Sequence, residues 1–226
     1  MTTVKAPGRT SHATRRRRRR RRSVPSYNEE ANLLQRGYSL VAGLDEVGRG
    51  PLAGPVVASA VVFRPGQSPL DDLRDSKQLV SAERERLSLE IRERALAWSL
   101  GAASVREIDR LNIRKATALA MRRAIGNLAT PPDYLLLDGT DLPELGHEHE
   151  SVVRGDSLSQ SIAAASVIAK VLRDRLMVLL DRRYPAFGWA RNKGYCTAEH
   201  LAAVDELGPT PHHRHSFSPV SQINLF

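Results

Sequence analysis

Four acidic residues, Asp45, Glu46, Asp138 and Asp156, each stand beside a glycine or at the polar end of an apolar run. A carboxylate in a low-dielectric setting is costly unless a cation or a hydrogen-bond network compensates it. Several that converge therefore point to a site for hard divalent ions. Oxygen-only ligands favour magnesium or manganese over zinc.

The seven histidines invite a rival chemistry, because His212, His213 and His215 cluster and His147 and His149 form a second pair. Zinc binding or histidine acid–base cleavage of RNA would use such groups. Against this, Cys196 is the single cysteine and the histidine spacings match no common zinc template. Histidine-based cleavage would also leave the acids without a role. His147 and His149 are read as solvated loop residues, and His213 with Arg214 as structural.

Positioning the acids requires strands that end at them. From Tyr38 the chain alternates up to Asp45, and Pro55 to Phe63 is a second β-branched run; the Gly48-Arg49-Gly50-Pro51 turn joins the two. Consecutive strand residues point to opposite faces, so Asp45 and Glu46 are expected to share a site only through a bend near Gly48 and Gly50. Ser81 to Ala97 reads as a helix capped by Ser81, Trp98 to Ala103 as a strand, and Ser104 with Glu107 as a capping box. Asn112 is a second cap, for a helix running to Ile125. Tyr134 to Leu137 is a short buried strand that delivers Asp138, and Val152 and Val153 are a further strand candidate. Asp156 precedes a long helix with Ile162, Ala165, Ile168, Leu172, Leu176 and Leu179 on one face, and a helix-end acid is its competing reading. Strands alternating with helices give an α/β sheet, whose strand ends are where ligands bind. After Pro185 the chain reads as short helices and irregular segments.

With 226 residues, 41% apolar and 26% charged, one substantial core is expected. A lone cysteine allows no internal disulfide. No apolar stretch reaches the roughly 20 residues that cross a bilayer, and the basic N-terminus lacks the apolar segment of a secretory signal. The expectation is a cytoplasmic protein that neither enters a membrane nor is exported. The net charge of +9 is carried almost wholly by eight consecutive arginines, Arg15 to Arg22. Residues 1–33 are read as a disordered basic extension and 34–226 as the folded domain. The arginine run is either an electrostatic arm for nucleic acid or an incidental extension.

The segment Gly43-Leu44-Asp45-Glu46-Val47-Gly48-Arg49-Gly50-Pro51-Leu52-Ala53-Gly54-Pro55 closely resembles the signature of the type 2 ribonuclease H family, bacterial ribonuclease HII. Matching segments follow in order: Asp75-Ser76-Lys77, Asp138-Gly139, Arg154-Gly155-Asp156, Ala163 to Lys170, Asn192-Lys193-Gly194-Tyr195 and His213 to Phe217. The resemblance spans nearly all of residues 38–217.

It implies a ribonuclease H-like α/β fold: a mixed central sheet flanked by helices, with a C-terminal helical segment completing the substrate groove. Residues 34–226 would be the catalytic domain. Asp45, Glu46, Asp138 and Asp156 would hold two manganese or magnesium ions, and such a pair serves both the attacking and the leaving oxygen of a phosphodiester. The substrate would be the RNA strand of an RNA–DNA hybrid, or duplex DNA with an embedded ribonucleotide. Cleavage on the 5′ side of the ribonucleotide would leave 3′-hydroxyl and 5′-phosphate ends. Gly48, Arg49 and Gly50 would read the 2′-hydroxyl, and Tyr195 would pack on the neighbouring sugar. Lys77, Arg154 and Lys193 are candidates for phosphate contacts. No oligomer is expected. The competing functions are a resolvase-like two-metal nuclease on the same fold and a non-catalytic RNA-binding module.

Overall fold

Five strands form one sheet in the order β3-β2-β1-β4-β5. Val41–Val47 (β1), Val56–Val62 (β2) and Ala97–Ala103 (β3) are successively antiparallel, while Tyr134–Asp138 (β4) and His149–Val152 (β5) run parallel to β1. The computed structural model describes residues 24–223, so the Arg15 to Arg22 run lies outside the described residues. Among the described residues no helix is long and apolar enough to cross a membrane.

Residue alternation along β1 decides what each face buries. Ala42 and Leu44 pack with Ala116, Ala120 and Met121 of Ile113–Gly126 (α4). On the other face lie Gln160–Arg183 (α5) and Ser81–Arg94 (α2), whose Ala164, Ile168, Leu87 and Ile91 meet Val61 and Phe63. Both faces of the sheet are covered, as the near-continuous apolar β2, with all seven residues buried, requires.

The expected bend at Asp45 and Glu46 is not found. Pairing to β2 runs on without interruption, Asp45 opposite Ser59 and Glu46 opposite Ala58. Asp45 therefore faces α5, and Glu46 faces α4, where it lines a small cleft with Thr117 and Met121. The two acids thus lie on opposite faces near the end of β1, coupled through charge.

Most caps follow the sequence. Ser104 Oγ accepts from Glu107 N while Glu107 Oε2 accepts from Ser104 N at 2.8 Å, opening Val105–Leu111 (α3). Asn112 Oδ1 accepts from Lys115 N at the start of α4. Ser81, expected to cap α2, is instead its first residue, and Glu83 reaches back to accept from Val80 N. Ser159 caps α5, which places Asp156 outside that helix's first turn, in the 3-10 turn Gly155–Ser157. Asp156 thus stands at the start of a short 3-10 turn rather than in the first turn of α5.

The boundary expected at residue 33 falls too late. Asn28–Gln35 forms a helix (α1) in which Leu33 is buried, and Glu30 Oε1 accepts from Ser159 Oγ, Ser161 N and Ser161 Oγ at 2.6–2.9 Å. Gln160 Nε2 also donates to Pro25 O at 2.9 Å. This segment is attached by polar contacts to the start of α5, which hydrophobic periodicity does not register.

At the other end, Trp189–Asn192 (α6) and Ala198–Leu207 (α7) fold over Ala53 and Met177 through Phe187, Trp189 and Val204. His200 and His213 are buried in this cluster with their Nε2 atoms 3.0 Å apart. His149 also departs from its solvated reading: it lies in β5 with its ring buried, and Leu142 N donates to its Nε2.

Candidate active site

β1 and β4 are paired in parallel through Leu44 and Leu137, so Asp45 and Asp138 follow as the next residues of two adjacent strands. Asp45 is only 6% exposed. Its Oδ1 accepts from the amide of Glu46 at 2.7 Å, and Ser166 on α5 hydrogen-bonds its carboxyl. Ser166 is held in turn by Ser76 at 2.9 Å, which brings the Asp75-Ser76-Lys77 segment to the site. Sequence reading placed both serines in motifs without assigning them this duty.

The remaining acids surround Asp45. Asp138 Oδ1 accepts from Asp156 N at 3.3 Å, which joins the end of β4 to the Gly155–Ser157 turn. Glu46 Oε1 accepts from Arg49 at 3.2 Å. Asp156 Oδ2 lies 3.8 Å from Lys77 Nζ.

Electrostatics record the crowding. Burial, then the charges of Glu46 and Asp138, hold the Asp45 carboxyl well above its ordinary range. Burial raises Glu46, opposed by Arg49, and Asp138 adds to the rise. Asp156 is raised by burial, Asp138 and Asp75, against the pull of Lys77. Burial lowers Lys77, but Asp156, Asp75, Asp45 and Asp138 together outweigh it and leave its ammonium raised. One lysine thus answers three of the four acids, and Arg49 answers Glu46.

A divalent ion fits this donor set, which is all carboxylate oxygen with mutual repulsion that a cation relieves. The oxygens do not yet share one coordination sphere: among the described residues no three acidic, histidine or cysteine side chains are gathered around a single point. Each carboxylate has a protein partner of its own.

The expected substrate contacts divide. Gly50 lies beside the 44%-exposed Tyr195: a Cβ at position 50 would sit 3.8 Å from the Tyr195 ring and meet nothing closer. The turn is tied to the tyrosine segment because Leu52 N donates to Gly194 O at 2.8 Å. Arg154 is exposed next to the site, at φ +60°, a left-handed conformation that costs a non-glycine residue about 1–3 kcal/mol and tends to mark functional turns. Lys193 is turned away, donating to Ala190 O and lining a groove between α2 and α5 with Arg84, Arg175 and Arg182.

Among the described residues the histidines take no part in the acidic site. His200 Nδ1 faces Tyr195 O, so its Nε2 is free to accept from Trp189 Nε1 and from His213 Nε2. His213 Nδ1 accepts from Thr210 N, which leaves the proton on Nε2. Both rings are neutral in this arrangement. Burial, followed by the neighbouring His200, pushes His213 down to about 4.

A sequence profile of the family described as Ribonuclease HII matches residues 42–220. A curated relative named Ribonuclease HII from Cereibacter sphaeroides (strain ATCC 17029 / ATH 2.4.9) is 52% identical over 200 residues, covering 88% of this chain and 93% of the relative. Another from Ruegeria pomeroyi is 53% identical over 200 residues, covering 88% and 85%. Among solved structures, ribonuclease H2 from Pyrococcus horikoshii OT3 superposes with a TM-score of 0.69 at 25% identity, covering 81% of this chain and 96% of that one. Bst-RNase HIII in complex with Mn2+ gives 0.62 at 19% identity over 82% and 69%, a likeness of fold.

Proposed function

Since the chain belongs to the ribonuclease HII family and is a ribonuclease H endonuclease acting on RNA–DNA hybrids, we propose that Asp45, Glu46, Asp138 and Asp156 are its catalytic metal ligands. The observation that carries this is the joining of two strand ends and one turn around Asp45, with Asp138 adjacent to both Asp45 and Asp156. Manganese or magnesium suits the all-oxygen set. A pair of such ions, when bound, supplies water activation and stabilisation of the leaving oxygen.

The chain's own residues do the rest. Ser166 and the Glu46 amide fix the Asp45 carboxylate from behind. Lys77 balances the acidic group at Asp156, and together with Arg49 and Arg154 offers cations to the phosphates beside the cut. The exposed Tyr195 ring provides a flat surface for a sugar next to the turn at residues 48–50, whose backbone meets the 2′-hydroxyl. The reaction is hydrolysis on the 5′ side of a ribonucleotide, in a hybrid or embedded in duplex DNA, leaving 3′-hydroxyl and 5′-phosphate ends. The Arg15 to Arg22 run adds affinity for nucleic acid without regard to sequence.

A labelled DNA duplex with one ribonucleotide tests this reading. The wild type is expected to cut 5′ of the ribonucleotide with manganese and not with chelator, while Asp138→Asn is inert under both conditions. Equal cutting of an all-DNA duplex, or full activity of Asp138→Asn, would overturn it.

A further inference from the structure

Arg173 and Arg214 are both fully buried, and among the described residues neither forms an ion pair with a carboxylate. Their donors go to main-chain carbonyls instead. Arg214 reaches Gly54 O through Nε at 3.0 Å, Arg49 O through Nη1 at 2.8 Å, and both Gly48 O and Gly54 O through Nη2. Arg173 reaches Pro55 O, Lys193 O and Ala53 O at 3.0–3.1 Å. Burying cations with no carboxylate at ion-pair distance is among the costlier arrangements in a fold, so a geometric purpose is the economical explanation. Burial, then the charge of Arg173, pushes Arg214 down to about 9, which still leaves it cationic at neutral pH.

The geometry has a direct consequence for the turn. In a trans peptide the C=O and the N–H of the next residue point in opposite directions. Drawing the carbonyls of Gly48 and Arg49 inward therefore sends the N–H groups of Arg49 and Gly50 outward. Among the described residues neither N–H donates to another protein group. Gly48 completes the device: it adopts φ +93°, and a Cβ there would lie 2.2 Å from Arg173 Nε.

We propose that Arg214, assisted by Arg173, is a positioning residue for ribonucleotide recognition, holding two adjacent backbone donors outward and tying them to the segment that carries Tyr195. This rests on the reading of the 48–50 turn as the 2′-hydroxyl contact. A guanidinium suits the task because its planar fork serves carbonyls of three residues at once, which a lysine ammonium does not reproduce. The segment bearing Arg214 is anchored from outside by Asp109, which accepts from His215 N, Ser216 N and Ser216 Oγ at 2.6–3.1 Å.

The test uses the full chain with manganese. KM and kcat are measured on a duplex with one ribonucleotide, and the inhibition constant of the all-DNA duplex is measured as competitor. Arg214→Lys is expected to raise KM at least tenfold, with kcat within threefold and the all-DNA constant within twofold of wild type. Asp109→Ala, which loosens the segment without touching the guanidinium, is expected to raise KM about threefold. Parallel weakening towards both duplexes, or a lowered melting temperature with the ratio of the two constants unchanged, would overturn the proposal. If Arg214→Lys does not fold, the ratio for Asp109→Ala decides. A wild type that binds both duplexes equally would instead defeat the 2′-hydroxyl reading itself.

Discussion

The guanidinium of Arg49 donates to the carboxylate of Glu46, three residues earlier, so the turn expected to meet substrate also neutralises a candidate metal ligand. Arg49 is half exposed, which limits the pair to about 0.5–1 kcal/mol. Replacing Arg49 by alanine should have opposite effects on two quantities. The manganese concentration for half-maximal activity should fall about two- to fivefold, while KM for substrate rises. Titrating activity with manganese at saturating substrate checks this, and a rise in the manganese requirement would show that Arg49 does not compete for Glu46.

The two glycines of the turn should respond differently to alanine. Gly48→Ala meets both a positive φ and the Arg173 side chain, and should destabilise the protein by at least about 1–3 kcal/mol. Gly50 lacks a positive φ and a close neighbour, so Gly50→Ala should leave stability within about 0.5 kcal/mol of wild type. Its effect should appear in KM for the ribonucleotide-containing duplex. Urea unfolding of both variants, beside steady-state kinetics, separates the two roles.

His213 should make the fold acid-sensitive from about pH 6.5 downwards. Its folded value of about 4 lies below the ordinary 6.5, so the unfolded chain binds the extra proton first. The stabilisation is complete above about pH 6.5 and is lost as pH falls towards 4, amounting to about 3 kcal/mol. Urea midpoints should decline across that window. The His213 ring protons should show no NMR titration above pH 5; a midpoint near 6.5 would rule the effect out.

Truncation should separate the arginine run from α1. Deleting residues 1–22 should flatten the dependence of substrate affinity on salt, by up to about seven units of log–log slope if all eight arginines engage phosphates. Turnover at saturation should be unchanged. Extending the deletion to residue 33 removes Glu30 from Ser159 and Ser161 and should lower the melting temperature. An unchanged salt slope in the shorter deletion would dismiss the arm.

Much of the fold was legible because periodicity and caps were strong: β2, β4 and α4 match the expected Pro55 to Phe63, Tyr134 to Leu137 and Asn112 to Ile125 segments within a residue at each end, and α5 is the long helix expected after Asp156. Membership of the family rested on motifs, which also separated a ribonuclease from a resolvase-like enzyme; residue types alone would not have done so. What stayed hidden was set by long-range polar contacts. Glu30 binds residues about 130 positions away, and Arg214 grips carbonyls 160 or more positions earlier. No local pattern encodes such pairs. Asp45 and Glu46 keep to opposite faces of β1, as period-two alternation dictates.

The distance in sequence between the acids and Arg214 also orders events in time. A chain made from its N-terminus holds Asp45, Glu46, Asp138 and Asp156 before the residue that clamps the turn beside them has been synthesised. The proposed ligands thus precede the proposed clamp, and a nascent or C-terminally clipped chain would carry the four acids without Arg214.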